Sequence, residues 1–186
     1  MSYHEGAREL QDRFGTRALA DRLHERLSRT AFTDEDRAFI ESRAFFFLAT
    51  ADAAGQPDCS YKGGVPGFVR VAGPSELEFP SYDGNGMFRS LGNVRVNAKV
   101  GLLFLDFENP RRLRVNGTAE LDTAQMMVRV RAERIFPNCP RYIHRMQLLE
   151  FSVYAPAPGH VPPVPGWKRM PQFNEVLPPD DPARET

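Results

Sequence analysis

Short stretches of alternating apolar and polar residues run through the middle of the chain, separated by turns rich in glycine and proline. Residues 112–121 show the pattern most clearly, because every second residue from Leu113 to Ala119 is small or apolar while charged and polar residues lie between them. A period of two predicts half-buried strands, and Gly117 inside this run predicts a β-bulge or a close approach by another group. Further strands are predicted at residues 44–50, 59–64, 68–71, 76–79, 100–107, 128–136 and 148–154. Short strands broken by such turns are typical of an antiparallel barrel or sandwich.

Helical spacing of apolar residues marks two segments ahead of the first strand. Residues 5–29 carry an interrupted apolar stripe among charged side chains, formed by Leu10, Phe14, Leu23 and Leu27. This stripe predicts one amphipathic helix that packs as an arm or as a dimer strut. Thr33 and Asp36 have the spacing of a capping box and predict a second helix over residues 35–42. Residues 139–146 resemble one further turn of helix.

Residues 77–106 form the segment around which the chain is organised: a strand, a tight turn, a short helix and a strand. Residues 83–86 read Asp-Gly-Asn-Gly, which is a dense turn signal, and Asn85 is predicted to cap the helix that follows. Apolar residues recur at helical spacing on the predicted buried face: Phe88, Leu91 and Val94. Arg89 and Ser90 fall in the first turn, where free backbone N–H groups and the helix dipole favour an anion such as phosphate. Many helices begin in this way without binding a ligand, so the motif alone is a weak signal.

Composition and charge exclude several classes of function. The formal net charge is zero and the isoelectric point is about 6.9, which argues against a broad nucleic-acid-binding surface. The two cysteines, Cys59 and Cys139, lie far apart and form no CxxC motif, so neither a disulfide framework nor a metal site is predicted. The N-terminal sequence has no signal-peptide core, and no apolar run reaches the length of a membrane span. We therefore expect a cytoplasmic protein with no membrane partner.

The distribution of prolines and helical patterns predicts three parts. Residues 1–32 are an N-terminal helical arm, residues 33–154 are the ligand-binding domain, and residues 155–186 are a proline-rich extension. Nine of the 16 prolines lie in that extension, so it is expected to be extended or irregular. Trp167 and Phe173 within it predict that the extension packs on the domain or on a partner subunit.

Three blocks, taken in order, resemble the pyridoxamine 5′-phosphate oxidase-like family of FMN-binding split β-barrels. The first, FFFLATADAAGQPDCSYKGG, is a strand, a D-x-x-G-x-P turn and a polar second strand. The second is LEFPSYDGNGMFRSLGNVRVNAKVGLLF, and the third is the alternating strand RLRVNGTAEL. The resemblance covers residues 39–121, with weaker support through residue 154.

The resemblance implies a mainly β fold with flanking helices, namely a six-stranded antiparallel split β-barrel that forms a homodimer with FMN at the subunit interface. The positions that would bind the cofactor, together with the predicted helix cap, are Ser60, Tyr61, Lys62, Pro80, Ser81, Tyr82, Asn85, Arg89, Ser90 and Asn93. In this scheme Arg89 and Ser90 hold the phosphate where the oxidase itself has Arg-Lys. Lys62 or a backbone donor is then expected to supply the missing positive charge.

The resemblance further implies an FMN-dependent oxidoreductase that acts by hydride or electron transfer on an unidentified small molecule. NAD(P)H is a candidate electron donor, and no catalytic side chain is assigned, because the cofactor carries the chemistry. Pyridoxamine phosphate is not the expected substrate, since the oxidase's C-terminal arginine and histidine pair has no clear counterpart here. Two alternatives stay open. The same fold can bind F420 or haem, the latter needing an axial ligand such as His144, or the chain can be a non-catalytic flavin-binding dimer.

Overall fold

The computed structural model describes residues 3–184, which form a single β-sheet with helices before, within and after it. The helices are α1 (Glu5–Arg13), α2 (Arg17–Leu27), α3 (Asp34–Glu41), α4 (Arg89–Val96) and α5 (Pro171–Asn174), with a 3-10 turn at Gly166–Arg169. The strands are β1 (Phe45–Ala51), β2 (Pro57–Gly63), β3 (Arg70–Gly73), β4 (Glu76–Pro80), β5 (Lys99–Asp106), β6 (Arg111–Asp122) and β7 (Met127–Pro137). Across the described residues, every helix is too short or too polar to span a lipid bilayer.

The strands pair antiparallel in the order β2-β1-β5-β6-β7-β4-β3. The predicted mainly β fold with flanking helices is therefore confirmed, although the sheet has seven strands and not six. The strand β3 is only four residues long, pairs with β4 through a tight turn and forms one edge of the sheet. The strand β2, which carries part of the candidate site, forms the other edge.

The sheet curls around its core. Phe46 on β1 packs against Phe79 on β4 with ring centroids 4.9 Å apart, although three strands separate β1 from β4 in the sheet order. Such a contact requires the two halves of the sheet to face each other across a shared interior. Phe104 of β5 completes the contact, at 5.2 Å from Phe46. The helix α4 packs on β1, β2 and β6, which places its first turn beside the edge strand.

Gly117 lies at a β-bulge and also at a close approach between two strands, as the sequence predicts. The pairing of β6 with β7 shifts register between Asn116 and Gly117. A Cβ atom at Gly117 would lie 2.2 Å from the carbonyl oxygen of Arg131, so a larger side chain cannot be placed without moving the backbone. The prediction at Gly117 is confirmed.

The N-terminal arm consists of two helices, and the prediction of a single helix over residues 5–29 is wrong. Gly15 has φ of 63° between α1 and α2, a left-handed conformation that a continuing helix cannot contain. The apolar side chains of the predicted stripe are largely exposed: Leu10, Phe14, Leu23 and Leu27. The arm joins the sheet where Arg29 and Ile135 form an isolated antiparallel bridge.

The strand predicted at residues 148–154 and the helical turn predicted at residues 139–146 are both wrong, since both segments are irregular. The backbone N–H of Met146 donates to the carbonyl oxygen of Phe107, and that of Leu148 donates to the carboxylate of Glu108. The segment thus finds its described backbone partners in the loop after β5 and not on a neighbouring strand. Its large apolar side chains lie mostly at the surface.

Candidate functional site

A cavity of about 260 Å³ opens between the edge strand β2, the loop at residues 81–88 and the first turn of α4. Seven of the ten predicted cofactor-binding residues line it: Ser60, Lys62, Ser81, Tyr82, Asn85, Arg89 and Ser90. These residues come from two separate stretches of sequence, residues 58–62 and 81–91, and the fold brings them together because α4 packs against β1 and β2.

The alternation of β2 decides which of its side chains reach the cavity. Asp58, Ser60 and Lys62 are half-buried and line it, whereas Cys59 and Tyr61 are exposed on the opposite face. Successive side chains of a strand point to opposite faces of the sheet, so Tyr61 cannot share a wall with its two neighbours. The strand presents a carboxylate, a hydroxyl and an ammonium group to one side.

Tyr61 instead packs on the outer face of the sheet. Its ring stacks on Phe45 at 5.4 Å between centroids, and Phe45 stacks in turn on Phe107 at 5.7 Å. Tyr61, Phe45 and Tyr82 line a second, larger cavity of about 650 Å³, together with residues 148–155. Tyr82 thus borders both cavities, and the two predicted tyrosines meet only in the larger one.

Hydroxyl groups link β2 to the first turn of α4. The Ser90 hydroxyl donates to Asp58 Oδ2 at 3.1 Å, and the Ser60 and Ser90 oxygens lie 3.0 Å apart. Ser90 is buried, so this network fixes the helix against the strand. Asp58 was not among the predicted residues, although its position two residues before Ser60 on an alternating strand was a usable signal.

The cations of the cavity are Lys62 and Arg89. Burial lowers the pKa of Lys62, and the nearby Asp58 carboxylate opposes that shift. None of the ion pairs formed among residues 3–184 involves Lys62 or Arg89. Both cations are therefore available to a ligand that carries negative charge.

The start of α4 differs from the prediction. The helix begins at Arg89, and its N-cap is Phe88, with φ of 47° and no side-chain capping bond. The predicted cap, Asn85, instead accepts a hydrogen bond from the Met87 N–H at 3.1 Å. Because Gly86 and Phe88 both have positive φ, the chain cannot become helical before Arg89. Phe88, predicted on the buried face, is exposed, while Leu91 and Val94 are buried as predicted.

An α-helix leaves its first N–H groups without an internal partner. At α4 no side chain of the cap supplies one, and the first turn borders the cavity through Arg89, Ser90 and Leu91. Backbone donors, the positive end of the helix dipole and two cations therefore meet in one place. This arrangement favours an anion such as phosphate.

Three predicted residues lie outside this cavity. Tyr61 is on the opposite face of β2, and Pro80 is the last residue of β4, one position before Ser81. The side chain of Asn93 donates to Thr50 Oγ1 at 3.0 Å. It therefore holds α4 on β1, which is a structural use of a residue predicted to bind the cofactor.

Tyr82 forms the wall between the two cavities. Its ring lies 6.5 Å from that of Phe68 at an interplanar angle of 29°, so its body packs against the core cluster. Burial raises the pKa of its hydroxyl, which keeps the group neutral near pH 7. Within residues 3–184, no group of three histidine, cysteine or acidic side chains is arranged to hold a metal ion.

A curled antiparallel sheet of this kind defines a split-barrel protein. Its edge strand and the uncapped start of α4 border a cavity lined by two cations. The family model described as pyridoxamine 5′-phosphate oxidase matches residues 32–157, well over half of the chain. The chain therefore belongs to the pyridoxamine 5′-phosphate oxidase family. No curated protein matches the sequence.

Solved structures similar to this chain include HupZ of Group A Streptococcus, with 25% identity and a TM-score of 0.46 over 57% of this chain and 93% of that one. The heme storage protein HutZ of Vibrio cholerae has 19% identity and a TM-score of 0.42 over 55% and 92% of the two chains. An FMN-binding protein of Syntrophomonas wolfei has 13% identity and a TM-score of 0.45 over 70% and 97%.

Proposed function

We propose that this protein binds FMN in the cavity at the start of α4 and acts as an FMN-dependent oxidoreductase. The observation that carries the proposal is the meeting of Arg89, Lys62 and the uncapped first turn of α4 in one cavity. A flavin mononucleotide needs an anion clamp, polar groups for its ribityl chain and an aromatic or apolar wall for its ring. Membership of the family supports a flavin or a related ligand, and the small number of cations in the cavity favours the single phosphate of FMN.

The residues of the cavity fit those three needs. Arg89 and the backbone N–H groups of the first turn would hold the phosphate, because a guanidinium can bond two phosphate oxygens at once. Ser60 and Asp58 offer acceptors and a donor suited to ribityl hydroxyls, and Tyr82 offers an aromatic wall. The Ser90 hydroxyl already donates to Asp58. Ser90 would therefore contribute its backbone N–H, in place of the side-chain contact that the sequence predicts.

Lys62 would supply positive charge to the bound cofactor. The cavity removes water from its ammonium group and lowers its pKa, and a bound anion would stabilise the charged form. Bound FMN supplies hydride or electron transfer, and a cation next to its ring stabilises the reduced, anionic form. No side chain is assigned to proton transfer, and NAD(P)H is proposed as the electron donor.

A homodimer is part of the proposal. The aromatic stack of Phe45, Tyr61 and Phe107 lies on the outer face of the sheet. Beside it runs a segment rich in exposed apolar side chains: Met146, Leu148, Leu149, Phe151, Val153 and Tyr154. Large exposed apolar patches mark interaction surfaces in proteins, and this patch borders the larger cavity next to Tyr82. A second copy covering it would place the cofactor at a subunit interface.

Haem is the less well supported ligand of the same fold. It would need an axial donor, and the side chains that line the 260 Å³ cavity within the described chain include no histidine. His144, the axial ligand considered from the sequence, is exposed in the irregular segment after β7. F420 carries a longer anionic tail, which two cations serve less well than they serve one phosphate.

The test is to purify the protein without added cofactor, record its absorbance spectrum and identify any released ligand by mass spectrometry. Ligand-free protein is then titrated with FMN, F420 and haem while its oligomeric state is measured by analytical ultracentrifugation. We expect FMN to bind with quenching of its fluorescence, and bound FMN to be reduced by NAD(P)H under anaerobic conditions. Absence of FMN binding would overturn the proposal. Binding without reduction by either nicotinamide would leave a flavin carrier and remove the oxidoreductase.

A further inference from the structure

The C-terminal residues 155–184, here called the strap, end beside the loop that lines the candidate site. Within residues 3–184, one hydrogen-bonded ion pair joins the strap to the domain at residues 33–137. It links Lys168 Nζ to Asp83 Oδ2 at 2.7 Å. The other hydrogen bonds of the strap stay within it or reach residues 152 and 153. The polar attachment of the strap is therefore concentrated at a single residue of the domain.

Lys168 is an unusual residue for this position, because its side chain is only 5% exposed. A buried ammonium group requires partners, and Lys168 has a second one in Asp181 Oδ2 at 2.8 Å. The hydrogen bonds that Lys168 donates to Asp181 and Asp83 raise its pKa, so it stays charged throughout the neutral range. The carbonyl oxygen of Lys168 accepts from Asn174 Nδ2 at 3.1 Å, and the same amide donates to Ala183 at 2.9 Å. The strap thus holds its lysine in place.

Asp83 sits in the middle of the loop at residues 81–88, directly after Tyr82. The loop has few anchors of its own. The Ser81 N–H donates to the Met126 carbonyl oxygen at 2.7 Å, and the Met87 N–H donates to Asn85 Oδ1. Between these two points the loop contains glycines and lies at the surface. Tyr82 also packs on Phe68, and the ion pair with Lys168 adds the hydrogen-bonded contact that ties Asp83 to the strap.

We propose that Lys168 is a positioning residue: through Asp83 the strap holds the loop so that Tyr82 and Asn85 stay on the wall of the cofactor cavity. Lys168 acts on the loop and does not line that cavity. It borders a separate cavity of about 230 Å³ with Tyr82 and Asp83. The identity of the ligand in this inference rests on the proposed function, whereas the link between strap and loop does not.

The test compares Asp83→Ala and Lys168→Met with the matched strap variant Arg184→Met. Arg184 donates to the Leu177 carbonyl oxygen at 2.8 Å inside the strap and makes no bond to the loop. We expect FMN to dissociate about two- to fivefold faster from the first two variants, as suits an ion pair exposed on one side. The rate in Arg184→Met stays that of the parent. The double variant is no faster than Asp83→Ala alone, because both changes remove the same contact.

Hydrogen exchange of residues 81–88 in ligand-free protein separates this inference from the proposed function. Asp83→Ala keeps the pair of Lys168 with Asp181, so the strap remains folded while the loop exchanges faster. If the parent protein binds no FMN, the proposed function fails and the exchange rates alone decide whether the strap holds the loop. Unchanged exchange in Asp83→Ala overturns the inference. Faster exchange with unchanged FMN dissociation overturns the positioning role.

Discussion

The helices α3 and α4 are both eight residues long, yet the first turn of α3 is capped by side chains and that of α4 is not. At α3 the Thr33 hydroxyl accepts from the Asp36 N–H at 3.1 Å, and the Asp36 carboxylate accepts from the Thr33 N–H at 3.0 Å. At α4 the cap is Phe88, whose side chain cannot accept a hydrogen bond. The first turn of α3 contains three acidic residues, whereas that of α4 contains Arg89 and no acid.

The comparison separates a helix start that the chain completes for itself from one that it leaves open. In α3 the positive end of the helix dipole meets Asp36, whose charge is balanced by Arg29 at distances of 2.5 to 3.0 Å. In α4 the dipole adds to the charges of Arg89 and Lys62, and this raises the local positive potential. An external anion would therefore be stabilised at α4 and excluded at α3. The contrast therefore favours α4 over α3 as the helix that meets the phosphate in the proposed function.

The largest effect is expected at the start of α3, which is capped by its own residues. Asp36→Ala removes the reciprocal cap and leaves Arg29 without its carboxylate, so it should lower the free energy of unfolding by about 3 kcal/mol. Urea unfolding followed by circular dichroism measures this change. Asp34→Ala in the same turn is the control, because Asp34 is exposed. FMN affinity should be unaffected in the fraction that stays folded, and a loss below about 1 kcal/mol would contradict the role given to Asp36.

The ion pair of Arg29 with Asp36 also predicts how the free energy of unfolding changes at low pH. Burial alone would raise the pKa of Asp36, but hydrogen bonds from Arg29 and Thr33 outweigh it, and the pKa lies below the ordinary value of 3.8. A depressed carboxyl pKa contributes stability that is present above pH 3.8 and is lost as the pH falls through the folded-state value. The stability difference between the parent and Asp36→Ala should therefore narrow below pH 3.8.

The next largest effect is expected on FMN binding at the uncapped start of α4. Arg89→Ala should weaken FMN binding about 10- to 100-fold, since a charge-assisted hydrogen bond is worth about 1.5–3 kcal/mol. The variant should fold with unchanged stability, because the Arg89 side chain is exposed and has no ion pair among the described residues. Arg95→Ala, an exposed arginine in the last turn of the same helix, is the matched control. Fluorescence titration measures the affinity of each variant.

Riboflavin sharpens that experiment because it lacks the phosphate. If Arg89 contacts the phosphate, Arg89→Ala and the parent should bind riboflavin equally well. A variant that loses riboflavin as well as FMN would place Arg89 elsewhere on the ligand. Equal FMN affinity in Arg89→Ala and the parent would refute the phosphate position at α4.

The capped start of α3 and the strand around Gly117 could be predicted from the sequence, because both have local sequence patterns. The spacing of Thr33 and Asp36 predicted the capping box of α3, and the alternation around Gly117 predicted both the strand and its close backbone approach. The capping box and the strand depend on residues within a few positions of one another, whereas the close approach at Gly117 involves Arg131 on β7 and was indicated only by the absent side chain. The pairing of Arg29 with Asp36 spans only seven residues, but no periodic pattern marks it.

The start of α4 could not be predicted from the same kinds of signal. A left-handed φ at a residue such as Phe88 is unfavourable in isolation, so it arises from the surrounding fold and not from local preference. Asn85 therefore looked like a cap although it forms a local turn. The wrongly predicted strand at residues 148–154 has a related cause, because alternation indicates an apolar face but does not show whether a partner strand is present. Asp58 lies one residue before the predicted start of its strand, so only alternation extended back from Ser60 would have placed it in the cavity.

The smallest effect, and the most specific, is the response of Lys62 to pH. Burial lowers its pKa below the ordinary 10.5, so the ligand-free protein releases this proton at a lower pH than the unfolded chain does. Between the two values the unfolded chain binds more protons, and the free energy of unfolding should rise with pH. A phosphate in the cavity favours the ammonium form. FMN affinity should therefore fall with pH over the same range.

This prediction is specific because the free energy of unfolding should rise with pH while FMN affinity falls. Lys62→Met should flatten both profiles at pH values below about 10.5, the ordinary lysine pKa, and should weaken FMN binding at neutral pH. Lys99→Met is the control, because Lys99 is exposed and paired with Glu133 outside the cavity. Isothermal titration calorimetry in buffers of different ionisation enthalpy would detect the proton taken up with FMN. Affinity that is independent of pH in the parent would show that Lys62 does not meet the ligand, and the charge at α4 would then rest on Arg89 alone.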